Sequence, residues 1–292
     1  MIKKNKLSPI LNYINNYWIN IQVKNTIKKF INNFGYNLIP VEQSPYYELI
    51  NTERYKPLNI NLSGKEFKIA DSLSFYYSYQ EIFVGEIYKF NSTNHSPLII
   101  DCGSNCGLSI LYFRTLFPKS KIIGIEADPY IFEILKTNIN NYELSSVELY
   151  NCALWDKVTK LDFYSEKADA GRIAYKKEDK TDKLVKIDTR LLSEFIKDKH
   201  VDFLKLDIEG AETKVLIECK DYLKNVNNIF IEYHSFSDKE QDLDLILSIL
   251  KDNHFRYQIQ TQFGSRRPFI EKKLQEGMDL QLNIFGYKNQ EQ

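Results

Sequence analysis

The sequence predicts an α/β protein built on a doubly wound, mostly parallel sheet. From Leu98 onward, short apolar runs alternate with helical patterns at the regular spacing of βαβ units. These runs are nearly continuous in isoleucine, leucine, valine and phenylalanine, which is typical of strands covered on both faces. The chain has 292 residues, which is long enough for one such domain and an accessory segment.

The composition limits the classes of function. Basic and acidic side chains both number 39, so the formal net charge is zero and no overall field attracts nucleic acid. No run of about 18 uncharged apolar residues occurs. The four cysteines lie in predicted strands and helices without the spacing of a disulfide framework. We therefore expect a soluble cytoplasmic protein with reduced thiols and no nucleic-acid partner.

The N-terminal segment, 1–57, differs from the rest of the chain and is predicted to be basic, amphipathic and helical. Residues 1–40 contain six lysines and no acidic side chain, and their apolar residues recur at roughly helical spacing. Two interpretations remain open. The segment either packs its apolar side on the main domain as a cap, or contacts a membrane surface or a protein partner. In the latter case the protein would be peripheral at the membrane.

Residues 58–97 are predicted to form a hairpin and a helix that cap the main domain. Apolar and polar residues alternate around Ser63, Gly64 and Lys65, which indicates a short hairpin, and a helical pattern follows. The polar stretch 91–97 ends in a proline and predicts a linker. The main domain is then expected to span 98–292.

Strands and helices alternate through the main domain. Strands are predicted at 98–101, 121–126, 147–153, 201–207, 229–234, 255–260 and 281–287. Helices are predicted at 107–117, 130–140, 189–197, 211–220 and 239–251. An insertion at 161–186 suggests two extra strands around a charged loop, and residues 268–277 form a polar interruption before the last strand.

The first core strand ends in Asp101, directly before a turn that contains two glycines four residues apart. The turn consists of Gly103, Ser104, Asn105, Cys106 and Gly107. It brings backbone N–H groups and a helix N-terminus to the carboxyl edge of the sheet, where doubly wound sheets bind ligands. The spacing does not match the G-x-G-x-x-G of dinucleotide-binding proteins. The pattern D-x-G-x-x-x-G instead resembles the first loop of S-adenosylmethionine-dependent methyltransferases, so we expect Asp101 and the turn to bind that cofactor.

The next two strand ends are predicted to complete the cofactor site. Glu126 follows Gly107 by one helix and one strand, which places its carboxylate to accept hydrogen bonds from both ribose hydroxyls of a nucleoside. Ala127 is adjacent. Asn151 and Ala153 end the third strand and are expected beside the adenine.

The fourth strand carries the most specific pattern, VDFLKLDIEGAE, in which Asp207 and Glu209 flank the strand end beside the expected position of the cofactor's methyl group. Asp207 is therefore also expected to bind the cofactor. With this run the sequence resembles the FkbM family of methyltransferases. The resemblance covers 60–287 and includes, in family order, the following segments: YSYQEIFVGEIYKF, IIDCGSNCG, IEADP, CALWD, KLDIEGAE and IFIEYH.

The resemblance implies a Rossmann-like class I methyltransferase fold with seven strands, the last of them antiparallel. It also implies S-adenosylmethionine as the cofactor. Family members methylate hydroxyl groups of sugars and varied natural products, so the expected acceptor is a glycan, a glycolipid or a related small molecule. Nothing carries over to residues 1–40, which lie outside the matching region.

A methyl acceptor hydroxyl must be aligned and must lose its proton, so the catalytic candidates are Asp207, Glu209 and His234. A divalent cation held by Asp207 with Glu209 or Glu232 is possible, but no metal is expected. The acceptor pocket is expected around 169–172 and 76–88. The arginines that could meet an anionic acceptor are Arg172, Arg266 and Arg267.

Two other functions remain open. An RNA methyltransferase can use the same fold, although the zero net charge and the absence of a recognisable RNA-binding module disfavour it. A relative that binds the cofactor or a partner without turnover is the non-enzymatic alternative, which the intact Asp101, Glu126 and Asp207 disfavour.

Overall fold

The computed structural model describes residues 44–165, 172–173 and 184–288. The expectations for the N-terminal segment 1–40 and for 169–171 lie outside these residues. Within the described ranges, the chain begins with a 3-10 helix at Tyr47–Asn51.

The predicted hairpin and helix before the main domain are confirmed. Strands β1 (Leu58–Leu62) and β2 (Lys65–Ile69) pair antiparallel, and the turn between them contains Gly64 at φ +86°. Helix α1 (Ser72–Tyr79) continues into a π-helical turn at Gln80–Val84. Asp71 begins α1 because its side chain accepts a hydrogen bond from the Ser74 amide, which satisfies one of the unpaired N–H groups of the first turn.

The central sheet has seven strands in the order β12-β13-β11-β10-β3-β4-β5. The strands are β3 (Leu98–Cys102), β4 (Lys121–Glu126), β5 (Val147–Asn151), β10 (Val201–Leu206), β11 (Val226–Phe236), β12 (Arg256–Gly264) and β13 (Met278–Tyr287). Neighbours from β5 to β11 pair parallel, whereas β13 runs antiparallel to β11 and β12. The predicted fold class and the antiparallel last strand are confirmed.

Helices cover both faces of this sheet. They are α2 (Leu108–Leu116), α3 (Pro129–Asn141), α4 (Ser193–Ile196), α5 (Glu212–Cys219) and α6 (Leu243–Asp252). One hydrophobic core contains residues of α4, α5 and α6, and the other contains residues of α1, α2, α3 and the hairpin. All six residues of β10 are buried, as expected of a central parallel strand.

The prediction of a helix over 189–197 is wrong in its first half. Residues Leu184–Arg190 form β9, in which Ile187 and Thr189 are buried while Lys186 and Asp188 are exposed. This period of two is the pattern of a strand, and only α4 remains helical. The insertion does contain extra strands: β9 joins β6 (Ala153–Leu154), β7 (Lys160–Tyr164) and β8 (Arg172–Ile173) in a small sheet of order β6-β9-β7-β8.

The predicted third core strand also divides, since β5 ends at Asn151 in the central sheet and Ala153 pairs with Thr189 in the small sheet. The strands β3, β4, β5 and β10 all end at one edge of the central sheet because they run parallel. Loops that follow them therefore meet at a single place.

Among the described residues, none of the helices has the length and apolar character needed to cross a bilayer.

Candidate active site

A cavity of about 650 Å³ opens at the carboxyl edge of the central sheet, within the size range of small-molecule sites. The loops after β3, β4, β5 and β10 form one side of its wall. Helix α1 and the π-helical turn form the other side, and residues of β11, β12 and β13 complete it.

The turn after β3 is held so close to the end of β10 that only glycine fits at its start. Gly103 has φ +83°, and a Cβ atom there would lie 1.8 Å from the backbone oxygen of Asp207. The Gly103 and Ser104 amides donate to the Ile125 carbonyl at 2.9 and 3.0 Å. Gly103, Ser104 and Asn105 line the cavity, as predicted from the motif.

Gly107 has a different part in this turn. It has φ +91° and stands at the N-terminus of α2. It does not line the cavity, and a Cβ atom there would lie 2.8 Å from Cδ1 of Leu135 on α3. The absence of a side chain therefore allows close packing of the turn on α3 rather than contact with a ligand.

Asp101 lies beneath the turn and not in the cavity wall, which corrects the expectation of direct cofactor contact. Its side chain is fully buried, and Ser109 Oγ donates to Oδ2 at 2.5 Å. Burial raises the pKa of Asp101, although the neighbouring Lys205 opposes the rise. The carboxylate holds the base of the site in place.

Lys205, which the sequence reasoning missed, connects the elements of the site. The buried ammonium lies 3.0 Å from Asp207 Oδ2 and 3.5 Å from Asp101 Oδ1, and it donates to the Gly103 carbonyl at 2.8 Å. Burial alone lowers the pKa of Lys205, but Asp207, Tyr88 and Asp101 together raise it well above its ordinary value. A lysine inside the buried run FLKL was the available signal, because a charge on a central strand must be paired.

Glu126 stands at the tip of β4, partly exposed to the cavity. Its two oxygens accept hydrogen bonds from the Asn105 amide and the Asp128 amide, both at 2.9 Å. Burial raises the pKa of Glu126 to about 7, against the lowering effect of these two amides. Each oxygen retains lone pairs for hydroxyl groups of a ligand.

Two of the three remaining residues predicted to bind the cofactor at the ends of the second and third core strands lie in the cavity wall. Ala127 and Ala153 line the cavity beside Cys152 and Leu154. Asn151 does not, which corrects its assignment: its amide nitrogen donates to the carbonyls of Glu126 and Ala127 at 2.9 and 3.2 Å. Asn151 thus holds the end of β4 in position.

The opposite half of the cavity is acidic. Asp207 and Glu209 line it as predicted, and the structure brings Glu232 and Glu81 beside them. Glu209 has φ +55°, in the left-handed region, and Gly210 follows at φ +91°. Burial raises the pKa of Glu81, and burial followed by the charge of Asp207 raises that of Glu232 well above its ordinary value. The carboxylates therefore favour a positive charge or a proton donor in this half.

His234 lies behind this wall because β11 extends two residues past it to Phe236. Its Nδ1 lies 3.1 Å from Glu212 Oε1 and its Nε2 lies 3.7 Å from Glu209 Oε2. Burial lowers the pKa of His234, but Glu209, Glu212 and Glu232 raise it well above its ordinary value. His234 does not line the cavity, and both of its ring nitrogens face carboxylates, so the structure does not bring it to the place where a general base would meet a substrate hydroxyl.

Asp207, Glu232 and His234 can each offer one ligand atom to a metal ion, and these atoms lie within 4.8 Å of one another. Asp207 is already paired with Lys205 at 3.0 Å, and the two ring nitrogens of His234 already face Glu212 and Glu209. Arg266 and Arg267, by contrast, lie exposed outside the cavity wall.

A parallel sheet with a glycine turn after one strand and an acidic residue at the tip of the next defines a class I methyltransferase architecture. Residues 101–257, more than half of the chain, match the family model described as the Methyltransferase FkbM domain. The chain therefore belongs to the FkbM methyltransferase family and is a methyltransferase.

Three curated relatives are 26–28% identical to the chain over the residues that align. Methyltransferase 1 of Beauveria bassiana (strain ARSEF 2860) is 26% identical over 211 residues, 64% of this chain and 83% of that protein. Methyltransferase sdnD of Sordaria araneosa is 28% identical over 205 residues, 56% of this chain and 79% of that protein. The 2-O-methyltransferase NoeI of Sinorhizobium fredii (strain NBRC 101917 / NGR234) is 26% identical over 162 residues, 49% of this chain and 65% of that protein.

Among solved structures, an FkbM methyltransferase from Methylobacillus flagellatus KT aligns with a TM-score of 0.47 and 20% identity. The alignment covers 73% of this chain, and the chain spans 50% of that protein's length. The matched family region begins at Asp101, so the hairpin and α1, which supply one wall of the cavity, lie outside it.

Proposed function

We propose that the protein transfers a methyl group from S-adenosylmethionine to a hydroxyl group of a saccharide, a glycolipid or a related small molecule. The observation that carries the proposal is the position of the Glu126 carboxylate. It lies beside the turn Gly103–Gly107, hydrogen-bonded to the Asn105 amide and exposed to the same cavity.

The cofactor half of the cavity fits a nucleoside by its chemistry. Glu126 supplies a carboxylate for two neighbouring hydroxyls, and the glycine turn leaves main chain open to close approach. Ala153 and Leu154 supply apolar contacts for the base. The raised pKa of Glu126 also agrees with a nucleoside ligand, because hydrogen bonds from two hydroxyl groups would stabilise the ionised carboxylate that burial disfavours.

The acidic half of the cavity fits the methyl-bearing end of the cofactor. S-adenosylmethionine, when bound, supplies an electrophilic methyl group: the C–S bond breaks as the acceptor oxygen forms the new C–O bond, and the electron pair stays on sulfur. Asp207 and Glu209 favour the positive charge and can receive the hydroxyl proton. Lys205 holds Asp207 in place, and His234 Nε2 lies 3.7 Å from Glu209 Oε2.

The acidic residues of the acceptor half favour a neutral acceptor over RNA. Glu81, Asp207, Glu209 and Glu232 line this half, and any of them that is ionised would repel a phosphate-rich strand of RNA. A neutral polyol can donate its hydroxyls to the same carboxylates. The name of the relative NoeI, a 2-O-methyltransferase, supports transfer to oxygen. The alternative of a relative without turnover is disfavoured because both halves retain their charged groups.

Calorimetry with S-adenosylmethionine and its demethylated product tests the cofactor assignment on the wild-type protein. Transfer of labelled methyl groups into an extract of the source cell then identifies the acceptor. Absence of heat with both compounds would contradict the proposal.

Kinetics of two variants test the proton acceptors. The variants are Asp207→Asn and Glu209→Gln. If one of the two carboxylates is the general base, its variant is expected to lower kcat by about 10²–10⁴-fold while cofactor affinity is retained. Asp252→Asn, an exposed change at the end of α6, serves as the control. Unchanged kcat in both site variants would refute the assignment.

A further inference from the structure

The loop between β12 and β13 projects from the rim of the cavity. Residues 265–274 form this rim loop, and the residues on either side of it, Phe263 and Gln275, both line the cavity. Any surface that the rim loop contacts therefore lies next to the cavity entrance.

The rim loop exposes large apolar side chains to solvent. Phe269 is 103% exposed, Ile270 77% and Leu274 56%. Single exposed apolar residues are ordinary on protein surfaces, whereas several together indicate a contact surface. The loop is also held in shape by its own hydrogen bonds: the Ile270 amide donates to the Arg267 carbonyl at 2.9 Å, and the Lys273 amide donates to Ser265 Oγ at 2.7 Å.

Basic side chains flank these apolar residues on both sides. Arg266, Arg267, Lys272 and Lys273 are all exposed, and Glu271 is the single acidic residue of the rim loop. Because the whole chain has a formal net charge of zero, this local excess of positive charge is not a consequence of general composition. It concentrates at the segment with the most exposed aromatic side chain.

We propose that the rim loop docks the protein on an anionic lipid bilayer, with Phe269 and Ile270 in the interfacial region and the four basic side chains against the headgroups. Membrane-surface segments combine buried apolar area with electrostatic attraction to anionic lipids, and both are present here within ten residues. A protein partner would need an apolar pocket surrounded by carboxylates, whereas a bilayer surface supplies both features without a specific shape. The proposal does not rest on the proposed function.

Co-sedimentation of the full chain with vesicles tests the docking. One set of vesicles contains phosphatidylcholine alone, and the other an equal mixture of phosphatidylcholine and phosphatidylglycerol. We expect binding to the mixed vesicles that weakens with added salt. The double variant Phe269→Ser/Ile270→Ser is expected to bind at least about tenfold more weakly. Arg266→Gln/Arg267→Gln is expected to lose roughly fivefold for each cation removed.

Val158→Ser is the matched control, because Val158 is 67% exposed and lies outside the rim loop. It is expected to bind as the wild type does. Wild-type protein that ignores mixed vesicles would overturn the proposal. Rim-loop variants that bind as tightly as wild type would also overturn it and would assign any binding to another surface, such as residues 1–40.

Size-exclusion chromatography distinguishes a second copy of the chain as the occupant. If the apolar double variant converts a wild-type dimer to a monomer without change in vesicle binding, the rim loop is a self-association surface and the proposal is wrong. Thermal denaturation of each variant confirms folding, which is expected to be unchanged because the substituted side chains are exposed. None of these readings depends on methyl transfer, so their failure is separate from failure of the proposed function.

Discussion

We expect the wild-type protein to bind the proposed cofactor in a pH-dependent way, and Glu126→Gln to remove that dependence. Both Glu126 oxygens accept backbone N–H groups, and burial raises the pKa of Glu126 from 4.5 to about 7. The glutamine amide can accept at only one of these positions, because its nitrogen would face an N–H donor. The variant is also neutral at every pH.

The expected magnitude follows from that pKa. At 1.36 kcal/mol per pH unit, the rise from 4.5 to about 7 corresponds to about 3 kcal/mol against ionisation in the free protein. Two ribose hydroxyls would stabilise the carboxylate and lower its pKa in the complex, so binding releases a proton below pH 7. The ionised fraction of the free protein falls from roughly nine-tenths at pH 8 to roughly one-tenth at pH 6, and the dissociation constant should rise about tenfold.

The stability of the free protein changes with pH in the opposite direction to cofactor affinity. A carboxyl group whose folded pKa is raised contributes stability below the unfolded pKa and loses it as the pH rises through about 7. The demethylated cofactor product should therefore raise the melting temperature more at pH 8 than at pH 6.

Calorimetry with the demethylated product between pH 6 and 8 measures the effect on the wild type, Glu126→Gln and the control Glu133→Gln. Glu133 is exposed on α3 and pairs with Lys136, so the affinity of its variant should depend on pH as that of the wild type does. Burial also raises the pKa values of Glu81 and Glu232 in the cavity, and the comparison with Glu126→Gln separates any contribution of theirs to the pH dependence. Equal affinity at pH 6 and pH 8 in the wild type, or the same tenfold change in Glu126→Gln, would refute the reasoning.

Three further predictions concern the scaffold of the site. Gly103→Ala should abolish cofactor binding and lower the melting temperature, because its Cβ would lie 1.8 Å from the Asp207 oxygen; Gly64→Ala, at a similar φ with open space, should cost only about 1–2 kcal/mol by urea denaturation. Lys205→Met should lower the free energy of unfolding by about 3–5 kcal/mol, since two carboxylates lose their buried partner; a loss as small as that of exposed Lys121→Met would contradict this. Asp71→Asn should cost about 2 kcal/mol at pH 7, because hydrogen bonds from Arg54 and two backbone amides outweigh burial and lower the pKa of Asp71 from 3.8 to about 2. That contribution is fully present above pH 3.8 and is lost as the pH falls through about 2, so the difference between the two proteins should be small near pH 2 and absent below it.

The local sequence pattern was sufficient to predict an element where its residues favour one kind of secondary structure. The turn that contains Gly64 and the strand of the central sheet Lys121–Glu126 lie where apolar periodicity and turn chemistry predict. The helix prediction for 189–197 failed because a helix and a buried strand end share the same apolar residues, and the pairing of Thr189 and Arg190 with β6 decides for the strand. Sequence spacing contains no information about that pairing.

The polar residues of the site show the same division. The motifs located Asp207, Glu209 and Glu126, all of which line the cavity. They did not locate Glu81, which α1 and the π-helical turn bring to Glu232 from more than a hundred residues away. They also predicted catalysis for His234, whose environment is set by Glu212 on α5 and by the length of β11.

The sequence by itself determined the α/β class, the order of the core strands along the chain and the presence of a glycine turn after the first of them, because apolar period and glycine spacing are local properties of the chain. Only the tertiary structure decided which charges meet. It placed Lys205 between Asp101 and Asp207, removed Asp101 and Asn151 from the cavity wall, and surrounded His234 with carboxylates. Electrostatic interactions depend on distance and burial in space, and these arise only when distant strands pack against one another.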